Sequence, residues 1–139
     1  KILQHKEADD FVLATGETKT VSEFAVLTFR NLGIELEWKG KGENEKGVIK
    51  SINLDKSKKL ISYMSNKKSY LKDFTTKLKK GDILIAIDPV YYRPTEVDLL
   101  IGDPSKAKKV LSWKAKTKFE DLVKLMIKSD MEKVLRRGY

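Results

Sequence analysis

The stretch TVSEFAVLTFRNLGIELEWKG, residues 20–40, changes its hydrophobic period part-way, and that change decides the fold class. Thr20 and Glu23 are spaced as a capping box, in which the hydroxyl accepts from the Glu23 amide and the carboxylate reaches back to the Thr20 amide. Phe24, Leu27 and Phe29 supply apolar helical positions until Gly33 stops the helix. Beyond it Ile34, Leu36 and Trp38 alternate with Glu35 and Glu37, the period of two of a strand with one wet face. A helix followed at once by a strand makes the chain mixed α/β.

Outward from this unit, Phe11 to Ala14 reads as a short buried strand ending in the Thr15-Gly16 turn. Lys39 to Gly47 reads as a glycine-punctuated loop. Val48 to Gly81 is lysine-rich and stands out as a candidate insertion; Tyr70, Leu71, Phe74 and Leu78 predict one amphipathic helix within it. Ile83 to Ile87 is the strongest strand signal, closed by Asp88-Pro89. Asp103 reads as an N-cap with Pro104 at the first helical position, opening a short helix through Lys106 to Leu111. Thr117 and Glu120 repeat the capping-box spacing before the longest helix, whose stripe is Phe119, Leu122, Val123, Met126, Ile127 and Val134. The expected architecture is one small domain of short strands with three or four helices.

With 139 residues the chain suffices for one domain with a core, and is too short for a second full-size cofactor domain. Its start at Lys1, in a charged stretch, is what a fragment of a longer chain would show. The absence of cysteine excludes disulfides, thiolate nucleophiles and cysteine-ligated zinc. No apolar run reaches the roughly 18 residues that cross a bilayer, no charged start leads into a signal segment, and a cytoplasmic protein with no membrane partner is the expectation. His5 is the single histidine, so a histidine triad or a histidine-based metal site is not expected. The net charge of +9 is local: ten lysines against three aspartates give Val48 to Asp82 +7 of it.

Among so many lysines, YYRPTEVD at 91–98 holds one arginine. A planar guanidinium makes two parallel bonds to phosphate oxygens and keeps its charge, where lysine supplies only a point charge. Pro94 suits a first helical position, which would put Arg93 at the cap and Glu96 one turn on, its carboxylate able to accept from both hydroxyls of a ribose. The plain alternative is an exposed Arg93–Glu96 pair worth well under about 1 kcal/mol. Tyr63 and Lys67 have the Tyr-x-x-x-Lys spacing of a dehydrogenase pair, but no strand, Gly-x-Gly-x-x-Gly and helix unit accompanies them. The glycines at 40, 42 and 47 have the wrong spacing for phosphate and acidic neighbours. Trp38 and Trp113 read as core or interface residues.

Three stretches taken together, DDFVLATGETKTVSEF (9–24), IELEWKGKGENEKG (34–47) and DPVYYRPTEVDLLIGDPSKAKKVLSWKAKTKFEDLVKLMI (88–127), resemble the C-terminal part of the GDP-mannose 4,6-dehydratases, extended short-chain dehydrogenase/reductases. The ordered blocks RPTEVD, GDPSKAKK and LxWK carry most of that resemblance. It implies a small substrate domain belonging to an enzyme whose N-terminal Rossmann domain, absent here, binds NADP. The family reaction oxidises C4 of the GDP-sugar, loses water across C5 and C6 and returns the hydride to C6, giving GDP-4-keto-6-deoxymannose. By the same resemblance Arg93 binds the pyrophosphate, Glu96 a ribose hydroxyl, and Thr18 lies at the turn near the base.

The family's glycine-rich fingerprint, its Tyr-x-x-x-Lys and its dehydration residues belong to the missing portion, so no catalytic residue is expected here and this chain alone should not turn over. Lys19 stands where the family commonly has histidine. The partners implied are a GDP-sugar and either the N-terminal portion or further copies of the chain, packed on an exposed apolar face. Two rival readings remain: a dehydratase for another GDP-sugar such as a GDP-heptose, and a basic module for nucleic acid or another polyanion. Against the last, Tyr63, Tyr70 and Phe74 form no recognisable base-stacking motif.

Overall fold

A computed structural model describes residues 1–53, 55–56, 77–93 and 100–137. Its centre is an antiparallel sheet of three strands in the order β1-β2-β3, with β1 Ile34–Lys39, β2 Lys46–Ile52 and β3 Ile83–Ala86. Three α-helices are present among the described residues: α1 (Val21–Asn31), α2 (Ser105–Leu111) and α3 (Phe119–Arg137). The mixed α/β class with short strands is therefore the observed one. None of the described helices is long and apolar enough to cross a membrane.

The capping box opens α1 as its spacing predicts. The Thr20 hydroxyl accepts from the Glu23 amide at 3.0 Å, and a Glu23 carboxylate oxygen accepts from the Thr20 amide at 2.7 Å. The bond from the Thr20 amide, and after it one from the Thr20 hydroxyl to the same carboxylate oxygen at 3.1 Å, hold the Glu23 carboxyl below its usual range. Gly33, at φ +82°, ends the helix in the left-handed conformation that favours glycine and turns the chain into β1. Val26 and Phe29 of α1 pack with Ile52, Leu78, Leu84 and Ile85 around a fully covered cluster of Ile34, Leu36 and Ile49. Ile34 and Ile49 are at most 1% exposed, and burying each contributes about 1.5–3 kcal/mol. The helix face differs from the expected one: Phe24 meets Phe119 of α3 edge-on at 6.2 Å instead of joining the sheet cluster.

The β1–β2 hairpin closes through residues 40–45, which hold a 3-10 turn, so β2 starts inside the stretch read as a loop and extends into the lysine-rich segment. Its pairing explains why alternation did not reveal it. Glu35 faces Ser51 while Leu36 faces Ile49, so Lys50 is an extra residue, and three consecutive residues, Gly47, Val48 and Ile49, are buried. Gly47 leaves room for Ile85, whose Cβ would stand 3.2 Å from a Cβ there. The predicted helix at Tyr70 to Leu78 falls mostly outside the described residues.

Three boundaries need correction. Phe11 to Ala14 pairs with no strand among the described residues, and Val12 and Leu13 are each about half exposed. A four-residue apolar run names no sheet partner, and this one lies beside Gly102 instead, whose added Cβ would come within 2.7 Å of the Ala14 Cβ. At α2, Pro104 occupies the cap itself, and the Asp103 carboxylate accepts from the Ser105 amide at 2.9 Å. At α3, Phe119 is the first helical residue, so the cap falls on Lys118, whose carbonyl accepts from Leu122, and not on Thr117. Of the α3 stripe only Val123 and Ile127 are buried; Leu122, Met126 and Val134 stay exposed.

Candidate functional site

Arg93 is delivered by a short connection off the end of β3. The Asp88 carboxylate accepts from the Val90 amide at 3.0 Å and opens a 3-10 turn, Pro89–Tyr91, with proline at a position that needs no donor. Tyr92 follows, its hydroxyl lying against Gly42 of the β1–β2 hairpin; a Cβ on Gly42 would stand 3.1 Å from that oxygen. Arg93 itself is exposed and forms no ion pair among the described residues. It follows the 3-10 turn directly after Tyr92, and a guanidinium in that place can offer its planar fork to a ligand oxyanion. Pro94 and Glu96 lie outside the described residues, as do Tyr63 and Lys67.

Thr18 is drawn to the other flank of the same block. Its hydroxyl donates to the Leu100 carbonyl at 2.5 Å. The preceding turn has Gly16 at φ +77°, and the Thr15 hydroxyl oxygen accepts from the Glu17 amide at 3.3 Å. Arg93 is thus the last described residue before 94–99, and Thr18 is bonded to Leu100, the first described residue after them.

Two depressions lie elsewhere. One, of about 420 Å³, runs along α1 with Lys19, Arg30, Trp38 and Phe119 on its walls; Lys19 Nζ stands 5.8 Å from the Phe119 ring centroid. The smaller, of about 150 Å³, lies beside Trp113, Thr15 and Lys108. Both tryptophans are half-buried and line these hollows. No sequence motif marks the larger groove, because its walls come from a helix face, a strand and a distant helix start. His5 Nδ1 lies 2.9 Å from the Glu7 carbonyl, with its ring edge-on to Phe11. Among the described residues no three His, Cys, Asp or Glu side chains form a metal-holding group.

The family model described as GDP-mannose 4,6 dehydratase matches residues 1–126. The chain belongs to that family. It is 42% identical over 131 residues to the GDP-mannose 4,6-dehydratase of Vibrio cholerae, 39% to that of Dictyostelium discoideum and 37% to that of Homo sapiens. Each comparison covers 94% of this chain but only 28–30% of the relative, so the chain spans less than a third of the length of the curated relatives it matches. That extent agrees with the resemblance to a C-terminal portion. Among the described residues the sheet is antiparallel throughout and no strand passes through a glycine-rich turn into a helix.

Proposed function

We propose that this chain is the GDP-sugar-binding portion of a GDP-mannose 4,6-dehydratase. Arg93 is the observation that carries the reading: an exposed guanidinium without an acidic partner among the described residues, inside the block that most resembles the family. In this reading Arg93 holds the pyrophosphate through two parallel hydrogen bonds, Glu96 accepts from the ribose hydroxyls, and Thr18 stands at the turn on the base side. NADP and the residues that oxidise and dehydrate the sugar belong to a Rossmann portion outside these residues. When bound there, NADP supplies hydride transfer at the sugar; this chain supplies binding and orientation, and does not turn over alone.

Calorimetry with GDP on the parent, Arg93→Ala and Glu96→Ala tests it. The parent should bind weakly and saturably, and loss of the charge-assisted bonds in Arg93→Ala should weaken binding about a hundredfold. Wild-type affinity in both variants would contradict the reading. Strong, steeply salt-dependent binding to a random oligonucleotide in place of GDP would favour the polyanion alternative. The sugar is not read by Arg93 or Glu96, so a GDP-heptose enzyme fits their chemistry equally.

A further inference from the structure

The first eighteen residues form a strap with a consistent direction. Lys1 Nζ donates to the Leu111 carbonyl at 2.8 Å and to the Ser112 carbonyl at 3.3 Å, at the C-terminal end of α2 where exposed carbonyls attract a cation. Lys106 Nζ donates to Asp9 at 2.5 Å and lies 5.3 Å from the Phe11 ring centroid. Val12 and Ala14 abut Gly102, and Thr18 donates to Leu100. As the first segment advances from 1 to 18 its partners retreat from 112 to 100. No backbone ladder accompanies these ties among the described residues.

Leu100 is the first described residue after the RPTEVD block, four residues beyond Glu96 in the chain. We infer that Thr18 is a positioning residue for nucleotide binding: its hydroxyl holds the carbonyl of Leu100, the next described residue after Arg93 in the chain. This deepens the GDP-sugar reading and rests on it. The hydroxyl proton is committed to Leu100, so Thr18 acts through that carbonyl and not by donating to the ligand. Gly102 is the steric counterpart of the pin. A methyl group there would push against Ala14 and force the strap away from the segment it holds.

The experiment compares the parent chain with Thr18→Val, Thr18→Ser and Gly102→Ala, using GDP calorimetry together with hydrogen exchange of peptides covering 93–101 and 34–52. Thr18→Val should bind GDP about fivefold more weakly, the usual effect of one lost hydrogen bond. It should also exchange faster at 93–101 and unchanged at 34–52. Thr18→Ser, which keeps the hydroxyl, should restore both. Gly102→Ala should act like Thr18→Val, and the two changes together should cost less than their sum because they loosen one strap. Unchanged affinity and exchange in Thr18→Val would overturn the inference. So would weakened affinity with unchanged exchange, which would make Thr18 a direct ligand contact, or faster exchange at 34–52 as well, which would make its role merely structural. If the parent bound no GDP the nucleotide reading would fall, and exchange at 93–101 alone would then decide: faster in Thr18→Val and restored in Thr18→Ser supports the pin, and no change overturns it.

Discussion

The sheet with α1 and the strap with α2 are held by different physics. Around Ile34, Leu36 and Ile49 the sheet is stabilised by side chains almost wholly removed from water and by paired backbone. The strap is held by polar contacts, Lys106 to Asp9 and Thr18 to Leu100 at the exposed surface and Lys1 to Leu111 partly buried, with Val12 and Leu13 about half exposed. Exposed contacts of that kind are individually weak and open locally at low free-energy cost. The candidate nucleotide block lies between the two regions in the chain: Arg93 follows the 3-10 turn that comes after β3, and Leu100 is tied to the strap by Thr18.

That contrast can be broken most strongly in the core. Ile49→Ala removes a fully buried side chain and should lower stability by about 2–5 kcal/mol, measured as the denaturation midpoint. An effect under about 1 kcal/mol would mean that the cluster is not what holds the sheet. Arg93→Ala comes next. It should weaken GDP binding by roughly 2–3 kcal/mol while leaving the melting midpoint unchanged, because the side chain is exposed. Arg93→Lys should recover only part of that affinity, since a point charge cannot make the two parallel bonds. A matching fall in the midpoint would assign Arg93 to structure instead. Thr20→Ala, which breaks the capping box, should cost about 1 kcal/mol of stability and leave GDP affinity alone.

The smallest effect is electrostatic. The Asp9 carboxyl is held below its usual range by its hydrogen bond from Lys106, and the Asp103 carboxyl by its bonds from Ser105. A carboxyl lowered on folding contributes stability that is present above its unfolded pKa and lost as pH falls through its folded pKa. Melting midpoints should therefore drop on acidification through the carboxylate range, with a slightly shallower slope in Asp9→Asn. An identical slope in that variant would remove Asp9 from the strap's account.

The sequence made visible those parts of the fold that are fixed by local chemistry. Thr20 and Glu23 satisfy each other within one turn, Gly33 alone can take its left-handed conformation cheaply, and Ile34, Leu36 and Trp38 keep a clean period of two. β2 stayed hidden because the extra residue Lys50 breaks that period and places three buried positions in a row. The run Phe11 to Ala14 misled for a related reason: apolar residues four in a row announce burial but not against what, and here they abut Gly102, far along the chain. Arg93 was legible as chemistry, one fork among many lysines, and its family blocks were legible as order. The tie from Thr18 to Leu100 spans 82 residues and leaves no local trace.

The most direct test of this account is hydrogen exchange of the whole chain with and without GDP. Nucleotide recognition on an adjustable strap predicts slower exchange on adding GDP at 9–18 and 93–106, with the amides of 34–39 and 46–52 unaltered. Protection confined to the groove beside Lys19 and Trp38, or none at Arg93 and its neighbours at saturating GDP, would contradict it.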